Sequence, residues 1–78
     1  MQSYANHGGD SGVDAFEIGE NYIIVRFHSG HCYKYTSASV GQENLSKMKR
    51  LARQGEGLNA FINTTPSVKT GFVEKYPC

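Results

Sequence analysis

Phe27-His28-Ser29-Gly30-His31-Cys32-Tyr33-Lys34-Tyr35 (FHSGHCYKY) is the stretch that decides how this chain folds. A run dense in β-branched and aromatic residues, Tyr22 to His28, stops at Ser-Gly and resumes as His31 to Thr36. That is the pattern of a β-hairpin. Side chains two apart on a strand share a face, so Tyr33 and Tyr35 form an aromatic pair. A two-residue loop at Ser29-Gly30 would pair His28 with His31, Phe27 with Cys32 and Arg26 with Tyr33. The tyrosines would then share a face with Ile24, Arg26, His28 and His31. A three-residue loop would instead place them with Val25 and Phe27. The register decides whether the pair is core or surface, and both alternatives are open in the sequence.

Upstream, Val13 to Ile18 reads as a first strand and Gly19-Glu20-Asn21 as a turn. Residues 1–12, rich in Gly, Ser, Asn, Asp and Gln, read as a flexible N-terminal arm, leaving residues 13–78 as one domain. Downstream, Ser39-Val40-Gly41-Gln42 has capping-box spacing, and Leu45, Met48, Leu51 and Ala52 form an apolar stripe at helical spacing. A helix is therefore expected from about Val40 to Gln54, weakened at Gly41 and stopped by Gly55. Leu58, Phe61 and Ile62 suit a short second helix, ended before Pro66. Val68 to Tyr76 reads as an edge strand or an ordered tail. The expected class is α+β: a small antiparallel sheet of about three strands packed on one helix plus a short second helix.

The totals narrow the function classes. With 78 residues the chain has room for one small core. A net charge of +1 gives no global field to steer nucleic acid, so electrostatic binding must come from a local patch. Two cysteines, Cys32 and Cys78, are too few for a disulfide framework and are expected as reduced thiols of a cytoplasmic protein. The start has neither a basic nor an apolar signal region, and Tyr22-Ile23-Ile24-Val25 is far short of a membrane span, so no membrane partner is expected.

The hairpin and the Gly-x-Gly-Leu-Asn-x-Phe-Ile segment together resemble the KTSC domain, a family found at the C-terminus of some lysyl-tRNA synthetases and alone in small bacterial and phage proteins. The residues that carry the resemblance are Val25 and Phe27, Gly30, Tyr33 and Tyr35, Leu45 to Leu51, and Gly57 with Phe61 and Ile62. They span roughly Ser11 to Tyr76. The chain departs from the usual pattern at Leu58 to Asn63, which is uncharged, and at Ser39-Val40-Gly41, where a proline is common. The resemblance implies the fold and a stand-alone bacterial or phage origin. It implies no agreed activity.

No catalytic set emerges. Asp10, Asp14, Glu17 and Glu20 are scattered, and glycines 55 and 57 are not followed by the Lys-Ser/Thr of a phosphate loop. His28, His31 and Cys32 are too few for a structural zinc site, and His31 alternates away from Cys32 on a strand. No cofactor or metal is expected, and the function is read as binding, not catalysis. Tyr33 and Tyr35, flanked by Arg26, His31 and Lys34, suit stacked bases with cations on phosphates, although packing beneath the helix would use the same tyrosines. Lys47, Arg50 and Arg53 lie on one side of the long helix, where they form a phosphate patch or simply favour the helix dipole. The expected function is a non-catalytic module that binds nucleic acid or nucleotide through these residues. The alternative is a phage or mobile-element inhibitor of a bacterial defence system. It would bind a host protein complex such as a CRISPR effector, or sequester a nucleotide signal. An exposed edge at Val68 to Tyr76 would favour a homo-oligomer.

Overall fold

A computed structural model describes residues 1–9 and 11–78, so Asp10 lies outside the described residues. The elements run β1 (Gln2–Ser3), β2 (Val13–Ile18), β3 (Tyr22–Phe27), β4 (His31–Thr36), α1 (Ser37–Val40), α2 (Gln42–Gln54), α3 (Leu58–Thr64), α4 (Pro66–Lys69) and β5 (Phe72–Pro77). The strands form one antiparallel meander in the order β1-β2-β3-β4-β5. This corrects the expectation of about three strands with one helix and a short second. Among the described residues the sheet has five strands and is covered by four helical segments. The extra strands are the edges: β1, which the sequence did not suggest, and β5, which settles the Val68 to Tyr76 stretch, open between edge strand and tail, as a strand over Phe72–Pro77.

The hairpin uses the three-residue loop. Val25 pairs with Tyr33 and Ile23 with Tyr35. The loop His28-Ser29-Gly30 is closed by the Gly30 amide donating to the Phe27 carbonyl at 3.0 Å, and Gly30 has φ +87, where a side chain would be strained. Tyr33 and Tyr35 therefore project with Val25 and Phe27 toward the helices. Arg26, Cys32 and Lys34 project from the opposite, outer face, and the two-residue alternative is excluded.

The inner face is the core. Phe16, Ile23, Val25 and Tyr35 are buried there against Leu45, Met48 and Ala52 of α2, Leu58 and Ile62 of α3, Val40 of α1 and Val68 of α4. Burying each such aliphatic side chain contributes about 1.5–3 kcal/mol, which makes this layer the main source of stability. The helix expected from about Val40 to Gln54 is α2, which starts at Gln42, and a separate short helix, α1, occupies the stretch before it. Thr36 caps α1, its hydroxyl accepting from the Ser39 amide at 3.1 Å while the Ser39 hydroxyl accepts from the Thr36 amide at 3.0 Å. Gly41, with φ +90, then turns the chain so that α2 begins afresh at Gln42. The capping box thus falls three residues earlier than the sequence spacing placed it.

Two further expectations change. Gln2 and Ser3, within the segment read as a flexible arm, pair with Phe16 and Ala15, and Tyr4 is buried. The Tyr4 hydroxyl accepts from the Leu58 amide at 3.3 Å, so it caps the start of α3, whose own N-cap, Gly57, has no side chain to do so. Cys32 and Cys78 are not free thiols but form a disulfide, with their Cα atoms 5.8 Å apart. Alternation of the strand sends Cys32 outward, and the β4–β5 ladder brings Cys78 beside it. A cross-link spanning 46 positions removes about 4 kcal/mol of chain entropy from the unfolded state in the loop-closure treatment. Among the described residues no helix is long and apolar enough to cross a membrane.

Candidate functional site

The helices do not cover the whole inner face. Where β3 and β4 meet their connecting loop, a cleft of about 530 Å³ remains. Phe27, Tyr33 and Tyr35 form its sheet side, His28 and Ser29 its loop end, and Phe72 of β5 a side wall. Across from them stand Asn59, Ile62 and Asn63 of α3, with Lys69 at the end of α4. Spacing explains the α3 contribution, because positions three and four apart on a helix lie on one face. Ile62 turns into the core, and the two asparagine carboxamides flank it.

The aromatic residues form a continuous row. Phe27 meets Tyr33 edge-on, with ring centroids 5.2 Å apart at 82°. Tyr33 in turn meets Phe72 at 4.9 Å and 85°. Edge-to-face contacts place the positive ring edge on the negative ring face and add about 0.5–1.5 kcal/mol to simple burial. Lys75, paired with Tyr33 across the β4–β5 ladder, holds its Nζ 5.4 Å from the Tyr33 centroid. Tyr35 is almost fully buried beneath the cleft. Its burial, and secondarily the neighbouring Tyr33, pushes its phenol well above the ordinary tyrosine range, so it remains neutral.

The structure divides the residues singled out from the sequence. Tyr33 and Tyr35 line the cleft, and His31, half-buried, lies on their side of β4. Arg26 and Lys34 lie on the other face. Arg26 Nη2 stands 2.9 Å from Asp14 Oδ2, and Nε donates to the same oxygen at 2.9 Å. Lys34 reaches Glu74 at 3.7 Å and lies 4.8 Å over the Tyr22 ring. The Tyr22 phenol is raised, chiefly by the charge of Glu17 and then by desolvation, and its hydroxyl donates to Glu17 at 3.3 Å. The expected grouping of Arg26 and Lys34 with the tyrosines is thus corrected: the three-residue loop moves Arg26 to the other face, and strand alternation keeps Lys34, between Tyr33 and Tyr35, off their face in either register. Lys47, Arg50 and Arg53 are exposed on α2 and do not line the cleft. Lys47 packs over Phe61 at 4.8 Å, and Lys49 donates to the Glu20 carbonyl at 2.9 Å.

Asn59, Asn63, Lys69, Phe72 and Lys75 were not singled out from the sequence. The only signal for them was the spacing of Asn59 and Asn63 around Ile62 on a predicted helix. His28 and His31 do not meet a third ligand, since among the described residues no three of His, Cys, Asp and Glu converge on one point. No family model matches the chain, and no curated protein and no solved structure matches it either.

Proposed function

We propose that this protein is a non-catalytic binding module whose ligand is a nucleotide, either free or as one unpaired residue of a nucleic acid, held in the aromatic cleft. The observation that carries the reading is the coincidence, in one cleft of about 530 Å³, of an aromatic row, two carboxamides and a lysine. The volume lies within the range of small-molecule sites, about 300–1,000 Å³. Aromatic rings stack on any base, carboxamides offer a donor and an acceptor to a base edge, and Lys69 and Lys75 supply charge for phosphate. Tracking a long strand requires a run of free cations along its backbone. On the outer face Arg26 and Lys34 are occupied by Asp14 and Glu74, and the exposed Lys47, Arg50 and Arg53 of α2 stand apart from the aromatic row, which favours a small nucleotide over an extended nucleic acid.

Sequestration of a nucleotide signal, the second reading, is served by the same cleft and needs no catalytic group. Membership of the KTSC family is part of the same proposal. Its support is the order β3, Gly30 turn, Tyr33-x-Tyr35, α2, and α3 with Phe61 and Ile62. The test is isothermal titration with AMP, GMP, CMP and UMP for the wild type and for Tyr33→Ala. Binding by the wild type that weakens by about 1–3 kcal/mol in the variant supports the reading. Absence of heat with all four at millimolar concentration rejects it.

A further inference from the structure

β5 forms one wall of the cleft but is poorly anchored by packing. None of its residues is buried, Phe72 is 37% exposed and Val73 is 51% exposed. At its start Gly71 is packed tightly, since a Cβ there would meet the Ser67 carbonyl oxygen and Val40. At its far end the strand is fixed by the Cys78 amide donating to the Gly30 carbonyl at 3.0 Å and by the disulfide to Cys32. Between these points lie the ladder to β4, the solvent-accessible Lys34–Glu74 pair, the edge contact of Phe72 with Tyr33 and the Lys75 ammonium beside the same ring. An exposed ion pair holds little. The cross-link is therefore the one covalent tie on the strand that carries Phe72 to the cleft.

We propose that the Cys32–Cys78 disulfide is a redox latch on the cleft: oxidised, it holds β5 as the wall, and a dithiol reductant releases that wall. The two sulfurs are not equivalent. Cys32 is fully buried whereas Cys78 is exposed, so attack falls on Cys78. A reductant thiolate bonds to Cys78 Sγ, the Cys32–Cys78 bond breaks, and Cys32 leaves as a thiolate that takes a proton. The second thiol of the reductant then attacks the mixed disulfide and expels Cys78 as a thiol. The reductant ends as its own cyclic disulfide, having passed two electrons and two protons to the protein. With that end of β5 free, the strand has no buried side chain to retain it, and local opening becomes its cheapest excursion. The inference holds whether or not the cleft takes a nucleotide, because its readout needs no ligand.

Hydrogen exchange of the full chain, followed by mass spectrometry with and without dithiothreitol, tests it. The expected result is that β5 amides exchange about tenfold or more faster on reduction, relative to β3 amides in the same sample. Cys78→Ser is expected to show the fast β5 exchange without reductant and to be insensitive to dithiothreitol. The nuclear Overhauser contact between the Phe72 and Tyr33 rings is expected to weaken in both. Reduction also removes the loop-closure stabilisation of the whole fold, so some acceleration of β3 is expected; acceleration of β3 equal to or greater than that of β5 would mean that the cross-link acts on global unfolding alone and would overturn the proposal. So would unchanged β5 exchange, or two free thiols titrated in the unreduced protein.

Discussion

Two faces of one strand have separate roles. On the outer face of β4, Lys34 reaches Glu74 and Cys32 is cross-linked, while on neighbouring β3 Arg26 holds Asp14. On the inner face Tyr35 is sunk in the core and Tyr33 joins a row of rings lining a cleft. Adjacency of aromatic and basic residues in sequence therefore says nothing about a shared site on a strand, because alternation separates them. In the outer face, charge is turned inward on itself and the surface is closed by ion pairs. In the inner face, polar and cationic groups reach the same space from elements far apart in the chain.

Tyr35→Ala gives the sharpest test of that division. Deleting a large buried ring destabilises by about 3–5 kcal/mol through lost burial and a residual cavity. Urea denaturation reads it, and a loss no greater than a surface substitution would break the assignment of faces. Tyr33→Ala, at the cleft, is expected to weaken nucleotide affinity by about 1–3 kcal/mol while leaving the fold in place. Gly30→Ala, which forces a side chain into the left-handed region, should cost about 1–2 kcal/mol of stability, and an unchanged denaturation midpoint would reopen the loop assignment. Arg26→Ala should cost at most about 0.2–1 kcal/mol of stability and leave affinity untouched, since its ion pair is exposed and on the wrong side.

The buried phenol also predicts a pH effect. Tyr35 binds its proton more tightly folded than unfolded, so its contribution is complete below the ordinary tyrosine value near 10 and falls as pH climbs above it. Thermal melts of Tyr35→Phe between pH 9 and pH 11 should decline less steeply than those of the wild type. Equal slopes would contradict the burial of this hydroxyl.

Much of this architecture is legible from local pattern. β-branched density marks β3, helical spacing marks α2, and the turn before Pro66 marks the end of α3. The register is not legible, because His28-Ser29-Gly30 and Ser29-Gly30 are both acceptable loops and they differ by one residue. Gly41 reads as a weak helical start, yet its positive φ places it between α1, which buries Val40, and α2. The Cys32–Cys78 link and the pairing of Gln2 with Phe16 depend on meander closure, to which no short window is sensitive. Of the candidate site residues, Tyr33 and Tyr35 were readable because alternation pairs them. Asn59, Lys69 and Phe72 were not, because only the tertiary fold brings them to those rings.

The proposed ligand enters on the inner side of the sheet, at the aromatic row. Chemical-shift mapping of the isotope-labelled protein during titration with AMP tests it most directly. Progressive shifts are expected at the cleft, among them Phe27, Tyr33, Asn59, Asn63, Lys69 and Phe72, with Arg26, Lys34 and Glu74 unmoved. Shifts centred on those outer residues, or a spectrum unchanged at saturating nucleotide, would contradict it.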